Sequence, residues 1–179
     1  MISKKIGNSH FALLIGKITT DSCSATIKKL ALAQQHRFVQ IIPARVVAGV
    51  RHLEAALEHA TSALKNKTSF SKNLELEFLV RLFGEKQLEK ALQNAKFEEG
   101  EELALVAAEK SKSKSKKEIA KIINNLNFKE TKKFELGKNK KELIDFYKIS
   151  QEEIETLSDV ENAIEGLVIE RVSFVALER

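Results

Sequence analysis

Apolar and polar positions fall into blocks along this chain, and the spacing within each block names its element. Phe11 to Ile18 is a short apolar run ending at Thr-Thr-Asp and reads as the first strand. Asp21 or Ser22 then caps a helix to Gln35, with Ile27, Leu30 and Ala31 inward. Phe38 to Ile42 is a second strand, rich in β-branched residues. Pro43 suits the first turn of a helix, where its missing N–H costs nothing. That helix is expected over 44–65, because Val46, Val50, Leu53, Leu57, Ala60 and Leu64 step by three and four. A polar loop over 66–72 follows.

Residues 74–95 read as two helices broken at Gly84. Leu74, Phe78, Leu79 and Leu82 recur at helical spacing, and so do Leu88, Ala91, Leu92 and Ala95. Gly84 stands where a helix end wants positive φ. Glu85, Lys86 and Gln87 place polar groups and fresh backbone N–H donors at a new helix start, an arrangement suited to anions. From this stretch alone the plainer reading is an ordinary helix–Gly–helix corner.

Leu103 to Ala108 is apolar on both faces, as a central strand covered on two sides would be. Residues 111–117, Ser-Lys-Ser-Lys-Ser-Lys-Lys, read as a basic flexible loop, either a solvated connector or a phosphate-contacting arm. A helix is expected over 116–126 with Ile119, Ile122 and Ile123 inward, and a short edge strand or extended loop over 127–138. Glu142 to Tyr147 is a short helix. Ser150-Gln-Glu-Glu153 is a capping box opening another, to Leu157. Asp159 caps a last segment in which Ile164, Val168, Val172 and Val175 form one stripe and Leu167, Ile169, Phe174 and Ala176 add more apolar surface. It is either a strand or a helix buried on two sides, one of them against a partner protein. The element order gives a small mixed sheet with helices packed on it.

Composition narrows the function classes. With 43% hydrophobic and 31% charged residues, the 179-residue chain can build a real core. The net charge of +5 permits an acidic partner such as RNA without demanding one. No window approaches the roughly 18 unbroken apolar residues of a membrane span. No apolar region or cleavage site follows Met1 to Lys5, so no signal peptide is expected. The single cysteine, Cys23, fits a reducing compartment, and the expected location is cytoplasmic.

Chemistry-bearing motifs are missing. The seven glycines are scattered, so there is no phosphate loop. His52 and His59 share a helix face but lie too far apart to hold one metal ion, and each reads as a surface or half-buried histidine. No nucleophile elbow is present, and the carboxylates alternate with lysines as on solvated faces. No cofactor and no metal are expected, and the pattern points to a binding module rather than an enzyme.

Arg51-His-Leu-Glu-Ala-Ala-Leu-Glu-His-Ala60, Leu76-Glu-Phe-Leu79, Phe83-Gly-Glu-Lys-Gln-Leu-Glu-Lys-Ala-Leu92 and the strand Leu103 to Ala108 occur in that order. This ordered set, with a C-terminal helix, a Ser-Gln-Glu-Glu helix and an apolar helix, resembles the TPRKB-type subunit of the KEOPS complex, archaeal type. The resemblance covers most of the chain; the first forty residues match only in strand–helix–strand order. It implies an α+β fold, a small mostly antiparallel sheet packed with several helices, in a single domain over 1–179. It implies a non-catalytic subunit of the assembly that places threonylcarbamoyl on the adenosine next to the anticodon of certain tRNAs. Such subunits dock on and regulate the small atypical kinase-like ATPase of that complex, and through it the threonylcarbamoyl transferase subunit. Archaeal members also hold the single-stranded 3′-CCA end of tRNA. Residue by residue, Gly84, Lys86, Gln87 and Leu88 fall on the family's Gly-x-Arg-Gln-Ile corner. Lys86 replaces arginine, keeping charge but losing the planar fork. Arg81 and Lys90 would widen the positive field. Aromatic residues are only 6%, which favours a short nucleic-acid end over a long stacked strand. The kinase-facing candidates are Val172 and Val175. The alternative is a protein-only adaptor that regulates the kinase and touches no RNA.

Overall fold

The computed structural model describes residues 1–6, 9–18, 24–26, 28, 38–131, 136–156 and 160–177; the side chains of residues 6, 118, 160–162 and 175–177 are outside the described set. Of the helix expected over 21–35, only Ser24, Ala25, Thr26 and Lys28 are described, all helical. Its caps Asp21 and Ser22, its inward residues Ile27, Leu30 and Ala31, and the Asp159 cap lie outside the described residues. The described chain forms two compact units, Met1–Ala44 with Ala95–Phe134, and Arg45–Asn94 with Glu135–Arg179.

The first unit is built on an antiparallel sheet of β1 (Ile2–Ile6), β2 (Ser9–Ile18), β3 (Phe38–Pro43), β4 (Leu103–Glu109) and β5 (Phe128–Glu130). The order is β1-β2-β4-β3, and β5 pairs with β2 through Gly16, Lys17 and Ile18. The fold class is α+β, as the resemblance implies. β4 is central: Leu105 lies opposite Leu14 of β2 and Ile41 of β3. Every residue from Leu103 to Ala108 is buried, so its unbroken apolar run reflects two covered faces. β1 has no counterpart among the expected elements. Its sequence, Ile-Ser-Lys-Lys-Ile, carries no strong apolar signal, and pairing with β2 makes it a strand. Lysines suit such an edge, because they discourage further strands from adding.

One sheet face is covered by α4 (Lys112–Leu126). Ile119, Ile122 and Leu126 pack on Ala12, Leu14, Ile18, Val39, Ile41, Leu103, Leu105 and Ala107, with Phe97 and Phe128 closing the cluster. The flexible basic loop expected over 111–117 is therefore corrected: residues 112–117 are the first turns of this helix. Ser111 is its N-cap and accepts from the Lys114 N–H at 3.3 Å. The cap and the isoleucine stripe anchor the segment, and lysine is itself a good helix former.

The second unit is helical. Its elements are a 3₁₀ turn (Ala44–Val46, straddling the boundary), α1 (Val50–Lys65), α2 (Leu74–Phe83), α3 (Leu88–Asn94), α5 (Lys140–Tyr147), α6 (Gln151–Glu155) and α7 (Val160–Leu177). The helix expected from residue 44 thus starts six residues late. Pro43 ends β3 instead of opening a helix, and Gly49 serves as the N-cap of α1 without a side chain to do the capping. Glu165 of α7 replaces it, accepting from the His52 N–H at 3.2 Å. A side chain at Gly49 would meet that carboxylate. The capping box at Ser150 is present in full, with Glu153 N–H on Ser150 Oγ at 3.2 Å and Ser150 N–H on Glu153 Oε2 at 2.7 Å. The last segment is a helix, which settles the strand-or-helix alternative. Ile164, Val168 and Val172 pack with Ala48, Leu143, Tyr147 and Ile149, so packing overrides β-branched propensity.

Truncating Leu105, fully buried at the sheet centre, is expected to cost about 2–5 kcal/mol. Urea denaturation of Leu105→Ala should show the midpoint falling accordingly; an unmoved midpoint contradicts the assigned core.

Candidate functional site

Asn73 opens α2 by accepting from the backbone N–H groups of Glu75 and Leu76 at 2.9 and 3.2 Å. Gly84 ends it in the left-handed region, φ 63° and ψ 33°. Gly84 N–H reaches the Arg81 carbonyl at 3.4 Å and Glu85 N–H the Val80 carbonyl at 3.1 Å. These two bonds make a Schellman termination. A third carbonyl of the last turn, Leu82 O, accepts from His52 Nε2 at 2.9 Å and from Tyr147 Oη at 3.3 Å. Tyr147 Oη also reaches Val46 O at 2.8 Å. The corner is thus locked from α1 and α5.

His52 is fully buried, which corrects its reading as a surface or half-buried residue. Nδ1 accepts from the Ala48 N–H at 3.3 Å, so Nε2 carries the proton given to Leu82. Both nitrogens are used only when the ring is neutral. Burial pulls its pKa down from 6.5 to about 4, against an opposing pull from the Leu82 carbonyl. Burial likewise raises the Tyr147 hydroxyl well above 10, so it stays a donor. The two rings meet edge to face at 5.6 Å, and Phe146 continues the stack to Tyr147 at 4.9 Å and to Phe83 at 5.9 Å.

Under the corner lies a buried ion pair. Arg81 Nε donates to Glu77 Oε1 at 2.8 Å, and both side chains are almost fully buried. Glu77 Oε2 accepts from the Phe70 and Ser71 N–H groups at 2.8 and 2.9 Å, tying the 66–72 loop to α2. The Arg81 guanidinium sits 5.2 Å from the centre of the Phe70 ring. Arg81 was expected among the surface cations of the corner; it belongs to the corner's support, because Glu77 draws it inward one helical turn away. The i,i+4 spacing of Glu77 and Arg81 was visible in the sequence, but spacing carries no information on burial.

The other corner residues are at the surface. Lys86 and Gln87 are exposed between the two helices, Leu88 and Gly84 are partly exposed, and Lys90 is exposed on α3. Ala91 is buried, but Leu92, expected inward, is 43% exposed, because α3 is only seven residues long. Of the two kinase-facing candidates, Val172 is fully buried in the helical core and the Val175 side chain is outside the described set. Phe174, beside them on α7, is 50% exposed.

What the described residues bring together is a rigid bend carrying an exposed cation and amide over committed buried polar groups. Among the described residues no group of three or more His, Cys, Asp or Glu could hold a metal ion, and no helix is long and apolar enough to cross a membrane. The described residues form an α+β fold. Residues 19–175 match the family described as kinase binding protein CGI-121, and the chain belongs to that family. No curated protein matches the chain.

Removing the Glu77 carboxylate strands a buried guanidinium, and Glu77→Ala should lose about 3–5 kcal/mol. Thermal melting against Glu77→Gln, which keeps some hydrogen bonding, checks this; equal melting temperatures of wild type and Glu77→Ala refute it. His52 supplies a pH signature. Its folded pKa lies below its unfolded value, so its contribution is whole above about pH 6.5 and is lost as pH falls toward 4, about 3 kcal/mol in all. His59 is also lowered, by burial first and by Arg81, and acts in the same sense. The expected outcome is a stability curve falling between pH 6.5 and 4 that flattens in His52→Gln; parallel curves for the two proteins contradict the neutral lock.

Proposed function

We propose that this chain is a non-catalytic subunit of the KEOPS complex in tRNA threonylcarbamoyladenosine modification. In this reading it docks on and regulates the small kinase-like ATPase, and it holds the 3′-CCA end of tRNA at the Gly84 corner. Family membership supports the kinase-binding half directly. The exposure of Lys86 and Gln87 on a bend locked by His52 and Tyr147 is the observation that carries the RNA half. A fixed backbone bend holds a cation and an amide in place before a ligand arrives, so little ordering entropy is lost on binding. Gln87 can donate to and accept from a base edge, Leu88 offers an apolar platform, and Lys86 and Lys90 supply charge to phosphates. Gly84 shapes the bend, and Arg81 supports it from below.

On the kinase side, α7 presents Phe174 rather than Val172. A fully buried valine offers nothing to a partner while the helix stays in its core, whereas a half-exposed aromatic side chain suits a protein interface. The second reading, an adaptor that binds the kinase and no RNA, draws on the same family match and leaves the exposed corner unused.

Fluorescence titration with full-length tRNA and tRNA lacking its terminal CCA separates them. Full-length tRNA should bind more tightly, weaken with salt, and lose on the order of tenfold in affinity with Lys86→Glu. Equal affinity for both tRNAs, or no effect of Lys86→Glu, removes the CCA reading. Phe174→Arg should weaken kinase capture and leave tRNA affinity unchanged; intact capture excludes Phe174 from the interface.

A further inference from the structure

The helix α4 has an outer face that folding alone does not explain. Lys112, Lys114, Lys116, Lys117 and Lys121 are all exposed, while Ser115, Ile119, Ile122 and Leu126 point inward. Four of these five lysines occupy the first two turns, and no acidic residue stands in the first turn. A helix N-terminus carries partial positive charge, so this placement opposes the helix's own dipole. Among the described residues, Lys112, Lys114, Lys116 and Lys117 have no carboxylate partner. A run of cations set against the helix dipole suits a surface whose counterion arrives with a partner.

We propose that the outer face of α4 docks the phosphate backbone of a double-stranded RNA stem. The lysines span ten residues, roughly 14 Å along the helix axis, which reaches several phosphates and not one ion. Ammonium groups on flexible stems suit sequence-independent backbone contact better than base reading. The face carries no aromatic residue, so it has no platform for stacking unpaired bases. Binding to an anionic bilayer wants large apolar side chains beside the basic ones. Among the described residues the exposed positions here are lysine, Ser113, Ala120, Asn124 and Asn125, and the large exposed apolar residues, Met1, Ile2, Leu92 and Phe174, lie elsewhere. The choice of RNA rests on the reading above, but the lysine face belongs to the first compact unit and does not involve the Gly84 corner.

The test uses a blunt RNA hairpin with no single-stranded end, the full chain, and fluorescence anisotropy at two salt concentrations. Wild type should bind with strong salt dependence. Replacing Lys112, Lys114, Lys116 and Lys117 together by Gln should weaken binding at least tenfold and reduce the salt slope by roughly 3–4. The double variant Lys114→Gln/Lys117→Gln, a smaller perturbation, should lose about half that slope. The quadruple variant should retain the preference for tRNA with CCA over tRNA without it. Equal hairpin affinity of wild type and either lysine variant overturns the proposal. So does binding to phosphatidylserine-rich vesicles that the quadruple variant abolishes while hairpin binding persists.

Discussion

The second unit depends on what happens to one carbonyl, Leu82 O. The last turn of a helix leaves carbonyls without intrahelical partners, and burying them bare is costly. Here His52 and Tyr147 both donate to it, from helices far apart in sequence. The bonds hold α1, α2 and α5 in one arrangement and freeze the bend beyond Gly84. The lock demands a neutral imidazole and a protonated phenol, and burial secures both. The exposed part of the corner is fixed because the Leu82 carbonyl beneath it is satisfied.

Beneath it, Glu77 and Arg81 perform a second task of the same kind. A buried ion pair is seldom a large source of stability, since desolvation offsets attraction. Its use lies in direction: the carboxylate spends one oxygen on the guanidinium and the other on two backbone N–H groups of the 66–72 loop. That loop, polar enough to float, is instead stitched to α2. The first unit follows a plainer rule. Its sheet is organised by β4, whose apolar run must be covered on both faces, and α4 covers one of them.

The two lysine groupings differ in kind. Lys86 sits on a bend whose shape is specified by buried hydrogen bonds, which suits recognition of one short end. The α4 lysines sit along a regular helix and offer charge without shape, which suits a uniform backbone. Family membership assigns the chain a kinase partner, and the two lysine groupings are the surfaces proposed for RNA.

Periodicity alone placed a helix over 44–65, which forms from residue 50, a helix ending at the Gly84 break, the apolar strand at 103–108 and the Ser150 capping box, because each rests on spacings of a few residues. It left out β1, whose strand character comes only from the hydrogen-bond ladder of β2. It took residues 112–117 for a loop, since their composition is polar and what fixes them is a cap and a stripe of isoleucines seated on a sheet. The order of motifs along the chain was enough to indicate the family. What only the tertiary structure decided is which polar residues face inward: His52, Tyr147, Glu77 and Arg81 look like surface residues until partners distant in sequence meet them. Burial of a polar group is set by such long-range pairing, and no local pattern encodes it.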